Sequence, residues 1–481
     1  MPFDRGLVGI SSFGVGGTNC HMILEPGPTS TNQQQDQTEL PVLIPFSGRT
    51  EEQVSQSITK ASSNARNPEF AHLLHMTFHT NIPGHSYRGV GFLRQGDKDL
   101  QNITIERTDS AGLRPIWIVF PGMGSQWNEM GKDLMKIEPF AQSVPRSRST
   151  LQNLGIDLTE LLRAKNESIF NDIHHAMLAI SSMQIAVWDT LKELLQVTPE
   201  GFIGHSTGEV LCAYADDCLT AEETLLVTDA RGRALKESQK VIGGMASIGM
   251  SAEELKARLP PGLELACNNA IQNVTVSGEL EAVTKFAKEL SNEGTFAVVV
   301  NSCGIAAHSQ HVQGAADLLR KYVADIIKGD RVRSSRWIST SIPESEWKSA
   351  LAKHASPEYF DTNLRAPVLF YEALKHIPAK ALVVEVSPKG FSQALLKESV
   401  PQDCIHVAPM TVKAEDKLSH FYQSVGQMYL SGVDVKMERL YPSVQLPVSS
   451  NTPSISHLVK WKHDQSWKTH LFNFPVVSPT L

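Results

Sequence analysis

The stretch GFIGHSTGEVLCAYA, residues 201–215, constrains the fold more than any other part of this chain. GHSTG fits the G-x-S-x-G pattern, in which a strand turns sharply into a helix and leaves a serine hydroxyl exposed at the bend, the glycines making room for the backbone. That turn needs a buried strand before it and a helix after it, which is the order of an α/β layer architecture. Ser206 is the candidate nucleophile. Its place at the start of a helix aims N–H groups and the positive dipole end at any oxyanion formed there. Alone, five residues of this kind also fit a serine that merely begins a helix.

The surrounding sequence extends the α/β reading. PIWIVF (115–120) is a buried-strand string, PGMGSQW (121–127) a glycine turn and NEMGKDLMK (128–136) an expected helix. An amphipathic stretch from Ala176 to Val197 precedes the serine turn, and Thr220 with Glu223 forms a capping box that starts a further helix through ARGRALKES (230–238). Beyond Gly243 the pattern changes to βαββαβ: ASIGM, a helix begun by the capping box Ser251 to Glu254, ELACNN, VTVSG, a helix from Glu279 to Asn292, and TFAVVVN. That order is a ferredoxin-like unit inserted in the larger domain, and two lobes imply a cleft between them. The helix from Glu279 places Leu280, Val283, Phe286 and Leu290 along one stripe.

At 481 residues the chain exceeds one core, and its composition, 41% hydrophobic and 20% charged, is that of a globular protein. A net charge of −7 without a basic run gives no reason to expect nucleic acid or an acidic membrane as partner. No 18-residue apolar run suggests a membrane span, and the N-terminus does not read as a signal peptide. Six cysteines without a CxxC pair favour reduced thiols and a cytoplasmic location. PGPTSTNQQQDQTELP, ending near residue 41, reads as a solvated connector, and residues 40–106 as a small α+β unit containing His72, His75 and His79. Those histidines have no acidic partner or HExxH pattern, so a packed or solvated face is preferred to a metal site. Past Gly432 recurring proline suggests an extended linker.

Three features strengthen a catalytic reading of Ser206. Met123 in PGMGSQW can supply a second backbone donor beside the N–H of Thr207. His308 in VNSCGIAAHSQH follows the last strand of the small lobe, where it would overhang the cleft as general base. Arg231 lies in the helix after the one that the serine begins. Singly, His308 also fits a core histidine and Arg231 a surface salt bridge. A lipase or thioesterase is the enzymatic rival, and a Cys303–His308 thiol dyad a weaker one.

Together, PGMGSQW, GHSTGEV with AYADDCLT, ARGRALKES, ACNNAIQNVTVSG, GIAAHS and WISTSIPESEW resemble the malonyl/acetyltransferase region of an animal-type fatty acid synthase. GISSFGVGGTNCHMILEP (9–26) resembles the last strands of a β-ketoacyl synthase, LYPSVQLP a return linker and ISHLVKWKHDQSW the first residues of a dehydratase. The resemblance implies four segments: residues 1–26 as a ketosynthase end, 27–112 as linker domain, 113–431 as acyltransferase with its insert at about 243–303, and 432–481 as following linker and dehydratase start. The expected fold is α/β: a large α/β-hydrolase-like parallel-sheet subdomain with an inserted ferredoxin-like subdomain, preceded by a small α+β linker domain.

The same resemblance implies ping-pong acyl transfer by a Ser206–His308 dyad. Met123 and Thr207 would hold the oxyanion through their N–H groups, and Arg231 would grip the free carboxylate of malonyl. Malonyl-CoA or acetyl-CoA would be donor and the phosphopantetheine of an acyl carrier protein acceptor, with no metal and no permanently bound cofactor. Backbone carbonyls would orient the histidine. The acyl pocket is expected to include Ala307, Met177 and Gln126; Ala307, and more loosely Met177, stand where the family has phenylalanine, so the pocket should be enlarged toward methylmalonyl. Thr207 replaces a common leucine and Lys389 a common histidine, without an assigned consequence. Other synthase domains are implied as partners, since the chain lacks the ketosynthase body and a carrier serine; a scaffold role is the non-enzymatic alternative. Without the ketosynthase a monomer is expected, with an apolar edge exposed on the N-terminal hairpin.

Overall fold

The computed structural model describes residues 6–14, 17–25, 40–108, 114–195, 198–390 and 393–458. Residues 26–39 of the expected connector and, past Leu458, the stretch resembling a dehydratase start (455–467) lie outside the described residues. Strands β1 (Val8–Phe13) and β2 (Asn19–Leu24) form an antiparallel hairpin with Val8 opposite Leu24. Its apolar side chains lie open, Phe13 at 78% and Ile23 at 61% exposure, as expected of a hairpin without a neighbouring strand.

The α+β unit follows. β3 (Val42–Gly48), β4 (Tyr87–Leu93) and β5 (Gln101–Arg107) form an antiparallel sheet in that order, covered by the helices Glu51–Ala61 and Pro68–Phe78. Thr50 and Asn67 cap those helices by accepting the N–H groups of Gln53 and Phe70. Phe46, Ile58, Phe70 and Leu74 fill the core between them. His75 is buried there: its Nε2 donates to the Leu43 carbonyl at 2.7 Å and its ring stacks on Tyr441, 5.1 Å between centroids. Burial lowers its pKa to about 4, so it packs as a neutral ring.

The main sheet contains β6 (Ile116–Phe120), β7 (Gly201–Gly204), β12 (Trp337–Ile338), β13 (Leu382–Glu385) and β14 (Ile405–Val407) in the order β12-β7-β6-β13-β14, every neighbouring pair parallel. β6 is buried along its whole length, as a parallel strand covered on both faces must be. Phe120 pairs with Gly204, so the loops leaving β6 and β7 emerge side by side at the carboxyl edge. Open parallel sheets place their ligands at that edge. The helices Ile173–Leu194 and Ala221–Ser238 pack together, and the Thr220–Glu223 capping box is formed.

NEMGKDLMK departs from expectation. It is a run of turns ending in a 3-10 turn at Leu134–Lys136, and the α-helix begins later, at Glu138–Asn153. Glu129 N–H and Gly131 N–H bond the carbonyls of Ala164 and Leu162 instead of helix partners, and a side chain at Gly131 would meet Leu162 and Met183 at 3.2–3.3 Å. Long-range pairing overrides the local helical preference.

The insert is formed by β8 (Gly243–Ile248), β9 (Glu264–Ala270), β10 (Asn273–Glu279) and β11 (Ala297–Val300), antiparallel in the order β11-β8-β10-β9. Its helices are Ala252–Arg258, with the Ser251–Glu254 capping box, and Leu280–Asn292. Val283, Phe286 and Leu290 are buried as the stripe requires, while Leu280 at the helix start is 38% exposed. β8 starts at Gly243, earlier than ASIGM suggests, because Gly243 and Gly244 pair with Glu279 and Gly278 of β10; a Cβ at Gly243 would lie 2.2 Å from Ala306 N.

The C-terminal segment is more than an extended linker. Val435 bridges Leu195, Arg88 donates to Val433 O at 2.6 Å and pairs with Asp434 at 2.8 Å, and Tyr441 OH accepts Leu43 N–H at 2.8 Å. Ser449 and Thr452 donate to Glu69, and Leu458 enters the core of the α+β unit. Spaced prolines hide this strap from periodicity, since its apolar residues anchor singly rather than along a face.

Candidate active site

Ser206 sits at the bend between β7 and the helix Gly208–Ala215, with φ of +55°. A non-glycine residue in that region is strained and persists only where its surroundings fix it. Here the fixing is steric. A Cβ at Gly208 would lie 1.8 Å from Phe120 O, and one at Gly204 would lie 2.4 Å from Glu209 N. The glycine spacing of GHSTG is therefore a packing requirement of the bend.

His308 comes from the loop after β11, also with positive φ, +58°. Ser206 Oγ donates to His308 Nε2 at 2.7 Å, while Nδ1–H donates to Ala366 O at 2.9 Å and the backbone N–H bonds Leu364 O at 3.1 Å. A carbonyl can only accept, so the proton resides on Nδ1 and Nε2 is free to take one from the serine. Burial, then the charge of Arg231, lowers the imidazole pKa to about 3. Two residues beyond that carbonyl the insert is joined to the same segment: Asn268 N–H bonds Val368 O and Val368 N–H bonds Ala266 O, both at 2.8 Å. A second contact between lobes, His205 Nε2 to Asn269 Oδ1 at 2.9 Å, lies beside the serine.

Arg231 is 2% exposed, midway along the helix Ala221–Ser238, and Nη1 donates to Asn363 Oδ1. Among the described residues it has no carboxylate within salt-bridge distance. Burial lowers its pKa to about 9, opposed by the charge of Glu209. Glu209 is fully buried and receives Trp337 Nε1–H at 2.9 Å, Thr340 N–H at 2.5 Å, the Thr340 hydroxyl at 2.7 Å and the Tyr359 hydroxyl. Two donors on each oxygen satisfy this buried carboxylate.

The loop 121–127 lies against this bend: a Cβ at Gly122 would be 2.6 Å from His205 O and 3.2 Å from Ser206 Cβ. Gln184 beneath it donates to Pro121 O at 2.8 Å and Val386 O at 3.0 Å. Neither Met123 N–H nor Thr207 N–H bonds another described residue. Gln126 Oε1 accepts Gly124 N–H at 3.0 Å, holding the loop. Ala307 is half-buried beside His308, whereas Met177 is 1% exposed within the core. Lys389 follows β13, with no ion pair among the described residues. Cys303 is directed elsewhere, its thiol to Phe170 O at 3.5 Å, and burial raises its pKa; the thiol dyad is thereby set aside.

Several residues here escaped the sequence reading. Asn363, Ser341, Glu209 and the carbonyl of Ala366 lie on helices and loops 22 to 157 positions from their partners. Only Glu209, a charge three residues past the serine on an otherwise apolar helix, left a signal. A cleft of about 880 Å³, lined by Arg88, Thr104, Arg114 and Gln427, lies between the α+β unit and the main sheet and contains none of the candidate residues.

A family model described as "Acyl transferase domain" matches residues 117–435, and one described as "Ketoacyl-synthetase C-terminal extension" matches residues 1–91. Curated relatives include the highly reducing polyketide synthase srdA of Neurospora crassa, 26% identical over 91% of this chain, and sphB of Aspergillus fumigatus, 27% identical over 97%. The chain spans 20% and 19% of their lengths. Among solved structures, the acyltransferase domain from module 8 of the salinomycin polyketide synthase is similar in fold, with TM-score 0.67 at 18% identity over 83% of this chain and 98% of that one. The acyltransferase domain of SpnD gives 0.66 at 19% identity over 83% of this chain and 97% of that one. Fungal polyketide synthases thus stand where the sequence motifs suggested an animal-type fatty acid synthase; the acyltransferase is matched as expected, and the ketosynthase extension matches residues 1–91, a span the sequence reading divided between a ketosynthase end and a linker domain. With two thirds of its length inside that first match, the chain belongs to the acyl transferase domain family.

Proposed function

We propose that this chain is the acyltransferase region of a multidomain synthase, moving malonyl-type acyl groups from CoA to the phosphopantetheine thiol of an acyl carrier protein. The observation that carries the proposal is the Ser206 Oγ to His308 Nε2 hydrogen bond of 2.7 Å, with Nδ1 committed to a backbone carbonyl. Ser206 Oγ attacks the thioester carbon as its proton passes to Nε2. The tetrahedral oxyanion is held by the N–H groups of Met123 and Thr207, and collapse expels the CoA thiolate, which takes the proton back from Nε2. The carrier thiol then repeats the sequence in reverse on the acyl-serine, restoring both residues. A thioester is activated enough that this route uses no metal.

The curated relatives favour polyketide over fatty acid assembly as the setting, with the other synthase domains and the carrier protein as partners. A thioesterase reading is less well supported, because the imidazole rests on a carbonyl rather than on the acid of a hydrolase triad. Among the described residues, no helix is long and apolar enough to cross a membrane. The test is intact mass after mixing with malonyl-CoA. A malonyl adduct on the wild type, absent from Ser206→Ala and released by a carrier thiol, is the expected result. Prompt loss to water without an acceptor would favour hydrolysis, and no adduct at all would favour a scaffold.

Ala307, small and half-buried next to His308, gives the acyl group room that a phenylalanine would occupy. Methylmalonyl-CoA is therefore expected to compete with malonyl-CoA, because its extra methyl, a group whose fit in an apolar pocket is worth roughly 1 to 3 kcal/mol, finds room there. Mixed-donor labelling that yields only the malonyl adduct would remove this part. Ala307→Phe is expected to restore malonyl preference.

A further inference from the structure

We infer that Asn363 is the positioning residue that makes this site selective for acyl groups bearing a carboxylate, by tying the Arg231 guanidinium to the backbone of the nucleophile. The inference rests on the acyltransferase reading above. Asn363 is 1% exposed on the helix Pro357–Arg365. Its Oδ1 accepts Arg231 Nη1–H, and its Nδ2 donates to Ser206 O at 3.1 Å and to Ser341 Oγ at 3.0 Å. Arginine offers only donors, so the amide oxygen must face Arg231 and the amide nitrogen must face Ser206. A flipped amide would set N–H against N–H and leave the Ser206 carbonyl with one donor fewer.

One rigid group therefore fixes two others. The Ser206 carbonyl is held from one side by Asn363 and from the other by Glu209 N–H at 3.1 Å, which maintains the strained bend that aims Oγ. The guanidinium is held at one Nη and keeps its remaining donors for a ligand. Glu209 supplies the neighbouring negative charge through Coulomb interaction, and no hydrogen bond joins it to Arg231 among the described residues. A carboxylate gripped by this arginine is thereby placed at a set distance from Oγ, which a freely rotating guanidinium would not achieve. An acetyl group has no atom to register against the clamp and gains nothing from it.

Asn363→Asp tests this with almost no change in shape. The new carboxylate pairs with Arg231 internally and competes with the incoming one. Acylation is read by intact mass with malonyl-CoA and acetyl-CoA in parallel, beside the wild type. The expected result is a fall of about 30-fold or more in kcat/KM for malonyl-CoA, carried mainly by KM, with acetyl-CoA reduced several-fold at most. Asn363→Ser, which frees the guanidinium without adding charge, is expected to shift the ratio in the same direction by a smaller factor. An unchanged malonyl-to-acetyl ratio in either folded variant overturns the inference. Failure of both to fold, seen as loss of a cooperative melt, would show that the amide serves the fold instead and overturns it as well. A wild type that forms no adduct defeats the acyltransferase reading and this inference with it, whereas an active wild type with unmoved ratios defeats the inference alone.

Discussion

Replacing His308 with alanine is expected to lower the rate at which malonyl-CoA acylates Ser206 by on the order of 10³-fold, the usual scale for removing a positioned general base. The geometry gives the reason: Nε2 is the acceptor of the serine proton, at 2.7 Å. The pH dependence follows from the same surroundings. Imidazole accepts a proton only when neutral, and its ordinary pKa of 6.5 would switch off acylation as pH falls below that value. Burial and Arg231 depress it to about 3, so the neutral form persists throughout the range from pH 8 to 5. Quenched-flow intact mass is therefore expected to show a rate that does not fall on a histidine limb near pH 6.5. A steep loss there, or a His308→Ala protein acylating within tenfold of wild type, would remove His308 from the chemistry. A malonyl carboxylate bound at Arg231, as proposed, would offset the positive charge that depresses the imidazole and so raise the basicity of His308.

Arg231→Ala is expected to cost malonyl transfer roughly 30- to several-thousand-fold while acetyl transfer changes far less, the span corresponding to about 2 to 5 kcal/mol for one lost member of a buried charged pair. A guanidinium 2% exposed, without a carboxylate partner among the described residues, is costly to keep. On the proposed reading, the carboxylate of the acyl donor completes the pair. The measurement is the ratio of initial acylation rates with the two CoA esters. Equal losses would show that Arg231 holds the fold through Asn363 and has no part in recognition. The substitution also removes a positive neighbour of His308, so the acid limb of acetyl transfer should move up toward 6.5.

These two experiments probe different levels of the same site. Ser206 announces itself through glycines that the bend needs for steric reasons, as the 1.8 Å and 2.4 Å approaches at Gly208 and Gly204 make plain. His308 and Arg231 stand out in the sequence by their place among the expected elements and by the motif resemblance, since a single histidine or arginine has a blander reading. Asn363 was not legible at all. Its polar side chain acquires a role only when the helix Pro357–Arg365 packs between the serine bend and the helix Ala221–Ser238. The turn at NEMGKDLMK and the C-terminal strap were misjudged for a related reason, their partners being distant in the chain.

By itself the sequence determined what repeats locally: strand strings, capping boxes at Thr220 and Ser251, the glycine bend and the βαββαβ order of the insert. Those follow from backbone sterics and short-range hydrogen bonds, which neighbours along the chain decide. Tertiary structure alone decided which nitrogen of His308 carries the proton, what charge faces Arg231 and which amide joins it to Ser206. Such properties depend on burial and on groups 22 to 157 residues apart, and no local pattern encodes them.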